Sequence, residues 1–260
     1  MNTREARVIV RAVVTAVLAL LSAGVASASS NDEIQVYDDA INKPGELGLD
    51  LHLNHIITGI KQPAWPGDAP SDRSTRLTPE FSYGLNEKWE LGAYLPLLQT
   101  AGGARYAEGA KMRVKYMAPR EDDAFYWGIN VELGWVSLRS AEQHWNVEMR
   151  PIFGWRTGRW HLTVNPIIGF ELSGPNRENP DFSPAMRASY ELAQNLNLGL
   201  EHYAGLGKLE HISPYGQQSQ NTYVVVDTTI AGHDINFGVG KGWNASSDKW
   251  TVKAIVMMRF

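Results

Sequence analysis

The chain has no cysteine and no apolar run long enough to cross a membrane as a helix. Without cysteine there is no disulfide scaffold, no thiolate metal site and no cysteine nucleophile. A spanning helix needs roughly 18 apolar residues, and beyond the N-terminus Asn, Gly or a charged residue interrupts each uncharged stretch. Charged residues make up only 20% of the 260 residues and aromatic residues 10%, a composition that can bury surface and argues against disorder. A helical membrane protein is therefore excluded, and 9 tryptophans remain to be explained.

The first 28 residues have the organisation of a secretory signal peptide. Three arginines precede an apolar run over residues 12–21, and the small residues at 26–28 match a signal-peptidase site. The alternative, an N-terminal anchor helix, would need a longer apolar run. We expect cleavage after Ala28, which leaves 21 basic and 27 acidic residues and a net charge of −6. A secreted, acidic chain is not expected to bind nucleic acid.

Apolar and polar residues alternate along most of the mature chain. From Leu47 to Asn54, for example, four leucines alternate with polar residues, the pattern of a strand with one apolar face. Short and long connections also alternate, as in an up-and-down barrel with short periplasmic turns and longer external loops. The sequence predicts an all-β transmembrane barrel of about twelve antiparallel strands, at residues 46–57, 73–84, 89–98, 105–117, 124–138, 144–156, 160–172, 183–192, 196–204, 222–230, 234–243 and 250–260.

A soluble sandwich would also alternate, but two features favour the membrane barrel. The strands run to about 10 to 13 residues, near the length that a tilted membrane strand needs. Eight of the nine tryptophans lie near predicted strand ends, where aromatic girdles meet the membrane interfaces: Trp89, Trp127, Trp135, Trp145, Trp155, Trp160, Trp243 and Trp250. The last strand alternates up to a terminal Phe260, the pattern by which outer-membrane barrels engage the barrel-assembly machinery.

Four short motifs carry a resemblance to a known group: residues 33–37 (EIQVY), 44–49 (PGELGL), 199–203 (GLEHY, followed by Gly205 and Gly207) and 236–242 (NFGVGKG). Together they resemble the transporter-like outer-membrane barrels of the meta-pathway phenol-degradation type. The resemblance implies a barrel of 12 strands and does not define a substrate. His202 stands where that group is expected to have a second aromatic residue.

The polar faces of the strands predict a charged lumen. Nine acids and nine bases fall on these faces: Asp50, Glu80, Glu90, Glu132, Glu148, Glu171, Glu191, Glu201 and Asp227, with Arg76, Lys111, Arg113, Lys115, Arg150, Arg156, Arg187, Lys253 and Arg259. Such a balanced set would either pair across the lumen and stiffen the wall or select solutes. Lys111, Arg113 and Lys115 share one wall and would either pair with Glu90 and Glu132 or attract anions.

Two predicted external loops hold aromatic residues that could contact a ligand, Trp65 among several prolines and Tyr215. A stiff surface loop without a binding role is the alternative. Residues 29–45 form an acidic N-terminal arm before the barrel, interpreted as a periplasmic arm, with a strand across the lumen mouth, a partner-binding tail or a loosely held terminus as alternatives.

Few residues of the sequence have the arrangement of a catalytic or metal site. A lipid-modifying barrel enzyme would need a serine and a histidine within about 3 Å on the lipid-facing wall. His202 has the parity of the apolar positions but no serine at a matching height, and G-x-S-x-G, phosphate-loop and dinucleotide motifs are missing. His52, His144 and His161 are too scattered to predict a metal site.

The sequence thus predicts a signal peptide (1–28), a periplasmic N-terminal arm (29–45) and a barrel (46–260) in the bacterial outer membrane, with both termini periplasmic. Its predicted function is a narrow, charge-lined pathway for small solutes, with hydrophobic or aromatic ones among the candidates. Its predicted partners are membrane lipid, the assembly machinery and the solute, without cofactor or metal. A lipid-modifying enzyme and a structural or adhesion barrel with a closed lumen are the alternatives.

Overall fold

The computed structural model describes residues 32–120 and 124–260, so the predicted signal peptide lies outside the described residues. The described chain forms one closed, antiparallel β-barrel of twelve strands, as predicted. The strands are β1 (Leu47–Thr58), β2 (Thr75–Asn86), β3 (Trp89–Tyr94 and Leu97–Gln99), β4 (Arg105–Ala107 and Gly109–Met117), β5 (Phe125–Val136), β6 (Trp145–Thr157), β7 (Trp160–Asn165 and Ile168–Glu171), β8 (Asp181–Phe182 and Ala185–Ala193), β9 (Leu196–Gly205), β10 (Ser219–Ile230), β11 (His233–Gly242) and β12 (Trp250–Arg259).

The barrel closes where the first strand pairs with the last. β1 and β12 pair antiparallel from Gly48 opposite Arg259 to Thr58 opposite Trp250, with one register shift between Ile56 and Thr58. Beyond that ladder, the Phe260 N–H donates to the Leu47 carbonyl at 2.8 Å. Closure satisfies the backbone groups that an open sheet would expose, which is the condition for a sheet to span a bilayer.

Residues that alternate between apolar and polar in the sequence alternate between the outer and the inner face of the barrel wall. On β1, Leu47 and Leu53 are exposed on the outside while His52 and Asn54 are buried inside. This arrangement, polar inside and apolar outside, is the reverse of a soluble domain and typical of membrane barrels. It explains how a chain of average hydrophobicity can present an apolar outer surface.

Four two-residue turns, over 87–88, 158–159, 194–195 and 231–232, lie at one end of the barrel, and the longer loops over 59–74, 137–144, 172–180, 206–218 and 243–249 lie at the other. Gly158 and Gly232 make two of the turns with φ of +57° and +82°, a conformation that glycine adopts without strain. At the loop end, Gly207–Lys208 and His211–Ile212 form a short hairpin followed by a 3-10 turn at Tyr215–Gln217. We call the two ends the turn end and the loop end.

The predicted strand positions differ from the observed ones mainly at the ends. β2 lies two residues later than predicted, β10 begins three residues earlier, and the segment predicted as a loop over 205–221 contains the short hairpin. Four strands are also interrupted, three of them beside a proline (Pro96, Pro166 and Pro184) that cannot donate to the ladder. None of the described residues belongs to a helix long and apolar enough to cross a membrane.

Candidate functional site

The described part of the N-terminal arm, residues 32–45, runs through the lumen. At its start, Asn54 near the loop end of β1 donates its side-chain amide to the Asp32 carbonyl at 3.2 Å. Near its other end, the Asn42 N–H donates to Glu90 on β3 at 2.7 Å. The arm therefore descends from the loop half of the barrel to the turn end, where it enters β1.

Apolar side chains of the arm pack against three separate parts of the wall. Ile34 packs with Tyr223 and Val225, whereas Val36 packs with Ile167 and Ala185. Tyr37 packs with a third group: Met117, Tyr126 and Ile152. These apolar clusters of the protein thus lie between the arm and the inner wall.

Tyr37 is the most extensively bonded residue of the arm. Its N–H donates to the Asn165 side-chain oxygen at 2.7 Å, and its carbonyl accepts from the amide of the same Asn165 at 2.9 Å. Its hydroxyl shares a hydrogen bond with the Tyr94 hydroxyl at 2.5 Å. The Arg150 guanidinium lies 4.3 Å from the Tyr37 ring centre, within cation–π range. Strands β3, β6 and β7 therefore hold this one residue.

The carboxylates of the arm bind basic residues of the wall. Asp32 lies 2.7 Å from the Lys111 ammonium, and Glu33 lies 3.7 Å from Arg150. Lower in the lumen, Asp39 forms ion pairs with Arg156 at 2.6 Å and with Arg120. The arm is thus held by charge as well as by apolar packing.

Charged residues of the wall also pair with one another, mostly across strands. Arg113 pairs with Glu80 and, at 2.7 Å, with Glu90, and Lys253 pairs with Glu201 at 2.5 Å. Further pairs are Lys111 with Glu132, Arg150 with Glu148, Arg187 with Asp227 and Glu201, Arg259 with Asp50, and Arg76 with Glu108. Most wall bases therefore already have a carboxylate partner.

The residues predicted to line the lumen differ in depth. The structure buries Asp50, Arg76, Glu80, Glu90, Lys111, Arg113, Lys115, Glu132, Arg150, Glu201 and Lys253. Glu148, Glu171 and Arg187 are half-buried, and Glu191 is exposed near the turn end. Lys115 differs from its two neighbours on β4 in donating to an arm carbonyl, that of Ala40, at 2.6 Å.

Glu108 is a buried lumen residue that the alternation did not predict. It shares the sequence parity of the outward-facing Met112, but β4 is interrupted at Glu108 itself, next to Gly109, whose φ is +130°. A side chain at Gly109 would come within 2.0 Å of the Trp135 carbonyl oxygen. The interruption turns Glu108 inward, where it accepts from Arg139 at 3.0 Å. A glycine inside a strand is the signal that indicates such a bulge.

Two cavities of the lumen are lined by residues of the described ranges 32–120 and 124–260, and they share no lining residue. The turn-side cavity measures about 460 Å³ and the loop-side cavity about 120 Å³. The charged residues of the turn-side cavity, besides His161, are Asp38, Glu46, Asp50, Glu80, Glu90, Glu191, Glu201, Asp227 and Asp234, with Arg113, Lys115, Arg156, Arg159, Arg187 and Arg259. Those of the loop-side cavity are Glu132, Glu142, Glu148, Glu171 and Asp181, with Lys111.

The aromatic residues singled out in the sequence lie on the outside or in the loops. The eight strand-end tryptophans are 38% to 53% exposed, and Phe260 is exposed at the turn end. In the loops, Trp65 donates its indole N–H to the Leu138 carbonyl at 2.7 Å, and Tyr215 is exposed. The loop that holds Trp65 is tied at its base by the Gly59 N–H, which donates to Asp72 and lowers the pKa of that carboxyl.

One group of possible metal ligands lies at the turn end, where Asp38, Asp39 and His161 converge. Both oxygens of Asp39 already meet arginines, Arg156 and Arg120. Two guanidinium groups at the same carboxylate oppose the binding of a further cation. The group therefore fits an arm-holding ion-pair cluster better than a metal site.

No family model matches the chain, and no curated protein matches its sequence. Solved structures do match. The COG4313 outer membrane channel from Pseudomonas putida F1 superposes with a TM-score of 0.59 at 13% identity, over 88% of this chain and 100% of that one.

This chain has the same barrel fold as that channel.

The KdgM porin (TM-score 0.54, 10% identity, 82% of this chain and 98% of that one) and the NanC porin (0.52, 8%, 81% and 97%) have the same fold. At such identities the likeness concerns the fold alone.

Proposed function

We propose that the protein is an outer-membrane channel for small solutes, with a lumen narrowed by its own N-terminal arm. The observation that carries the proposal is the arm itself, which passes down a closed barrel whose interior is polar and which has cavities at both ends. A barrel with a purely structural role and a closed lumen does not need a cavity of about 460 Å³ inside it. The solved channels and porins of the same fold support this proposal.

The outer surface supports a membrane location. Exposed leucine, valine and phenylalanine side chains cover the outside of the strands, with the tryptophans near the strand ends, as expected for an apolar band between two aromatic girdles. We place the turn end on the periplasmic side, because barrels of this kind have short periplasmic turns. Phe260 and the start of β1 are then periplasmic, and the last strand is available to the assembly machinery.

The resemblance to transporter-like barrels of the meta-pathway phenol-degradation type agrees with a transport role. The lining of the larger, turn-side cavity, however, is dominated by charged and amide side chains. Such a lining favours water-soluble solutes over hydrophobic ones, because an apolar solute would leave these groups without water or a partner. Trp65 and Tyr215 remain candidates for contact with a solute at the loop end.

A lipid hydrolase is the less supported alternative. His202 faces outward near the loop end, but its two ring nitrogens meet the Thr222 hydroxyl at 2.9 Å and the Gln220 side-chain oxygen at 2.8 Å. Among residues 32–120 and 124–260, no serine hydroxyl forms a hydrogen bond with His202. A serine hydrolase needs that contact to activate its nucleophile. We propose that the protein is not an enzyme.

Planar-bilayer recording of the purified, folded protein tests the proposal. A channel gives discrete current steps, and a phospholipid-hydrolysis assay run in parallel should give no product. A barrel that folds, as judged by heat-dependent gel mobility, yet never conducts would contradict the channel. Lipid hydrolysis that is lost in His202→Ala would establish the alternative.

A further inference from the structure

The two cavities of the lumen both carry an excess of negative charge. Nine carboxylates and six basic side chains line the turn-side cavity, an excess of three. Five carboxylates and one lysine line the loop-side cavity, an excess of four. The wall positions read from strand alternation alone were balanced, nine against nine. The difference has two sources. The arm, the strand ends and the loops add five acids and one base that alternation does not reveal, and three wall bases, Arg76, Arg150 and Lys253, line neither cavity.

Three lining carboxylates pair with bases outside the linings: Glu201 with Lys253, Glu148 with Arg150 and Asp181 with Lys208. Counting these three bases reduces the excess of carboxylates to two in each cavity. Most of the bases that line the cavities are paired with carboxylates as well. Lys111 lies 2.7 Å from Asp32 of the arm and 3.1 Å from Glu132 of the wall. Arg113 pairs with two glutamates. A base held between two carboxylates attracts a passing anion weakly, because the summed charge of the group is negative.

The arm adds to the excess of negative over positive charge in the lumen. Of its residues, Asp32, Glu33, Asp38 and Asp39 are acidic, and none between 32 and 42 is basic. Three of these four acids form ion pairs with wall bases that would otherwise face the lumen. The arm therefore narrows the lumen and also covers part of its positive charge.

We propose that the lumen is selective for small cations over anions, so that inorganic cations and protonated amines are the solutes that it favours. This inference rests on the proposed channel function. The excess charge lies at both ends of the path, so a permeating ion meets a negative potential on entry from either side. A narrow cavity in a low-dielectric wall strengthens that potential. Pore selectivity needs no bound ion, only the summed charge along the path.

The reversal potential of the full-length channel under a KCl gradient tests the proposal, measured in neutral lipid so that the bilayer contributes no charge. We expect the sign of a cation-selective pore. Selectivity should decrease when the salt is raised from about 0.1 M to about 1 M, because the Debye length falls from about 10 Å to about 3 Å. A permeability ratio of cation to anion at or below one would overturn the inference while leaving the channel intact. If no current is seen at all, the proposed function fails instead.

A charge-neutralising variant and a matched control locate the effect. Glu142→Gln with Glu171→Gln removes two of the carboxylates of the loop-side cavity. At a distance of about 8 Å in water, each charge changes the local ion concentration about twofold, so the permeability ratio should fall about threefold after screening. Glu178→Gln with Glu210→Gln removes two exposed acids of the same end that line neither cavity. Equal effects of the two variants would contradict selectivity by the cavity lining.

Discussion

Replacing Tyr37 by alanine should release the arm without unfolding the barrel. The side chain is 4% exposed and packs with Met117, Tyr126 and Ile152. Truncating a buried aromatic residue costs about 3 to 5 kcal/mol in a protein core. We take about 3 kcal/mol here, because water can enter the lumen and hydrate the Tyr94 hydroxyl that loses its partner. This lost free energy weakens the docking of the arm in the lumen and not the barrel itself, because the β1 to β12 ladder does not involve Tyr37.

A change of about 3 kcal/mol raises the population of the undocked arm about hundredfold. Single-channel recording should then show a high-conductance level in Tyr37→Ala that is rare or brief in the wild type. Tyr37→Phe keeps the ring and loses only the hydrogen bond to Tyr94, so a smaller increase of about fivefold is expected from about 1 kcal/mol. Lys43→Ala, at an exposed position of the same arm, serves as the control. If Tyr37→Ala folds and its conductance pattern equals that of the wild type, Tyr37 does not hold the arm.

Three further predictions concern the wall. Asn165→Ala removes both hydrogen bonds to the Tyr37 main chain. Because each bond contributes about 1 kcal/mol, the high-conductance level should become about thirtyfold more populated. Single-channel recordings unchanged from the wild type would contradict this role of Asn165. Leu200→Arg puts a charge on an outward position that is 54% exposed and should lower the free energy of unfolding in liposomes by about 2 to 4 kcal/mol if the site is near the bilayer centre; a wild-type urea midpoint would argue against lipid contact. Gly109→Ala should destabilise the barrel by at least about 1 kcal/mol, because its side chain would collide with the Trp135 carbonyl, which the same urea titration measures against wild type.

The alternation of the sequence was sufficient to predict the barrel. The runs around Leu47 and Trp127 repeat with period two, and each face of a strand has one environment, so the number of strands followed. Closure also followed, since an even number of long strands with alternating short and long connections is typical of an up-and-down barrel.

The position of the arm could not be predicted in this way. Residues 32–45 have no strand partner, and their contacts lie on residues as far apart in sequence as Asn54, Asn165 and Lys253. These residues come together only after the barrel closes, so no local pattern reports the contact. The excess of carboxylates in the cavities escaped prediction for a related reason. Asp181 lies in a short strand segment beside Pro184, and Glu142 lies in a loop, where alternation does not show which side chains face inward.

The most direct test of a channel narrowed by its own arm compares the full mature chain with a chain that lacks residues 29–45. The deletion leaves every strand and the β1 to β12 ladder in place. Single-channel conductance in the same salt and lipid should be several times larger without the arm, because the lumen loses the segment that fills its centre. Equal conductance from two folded barrels would contradict the account.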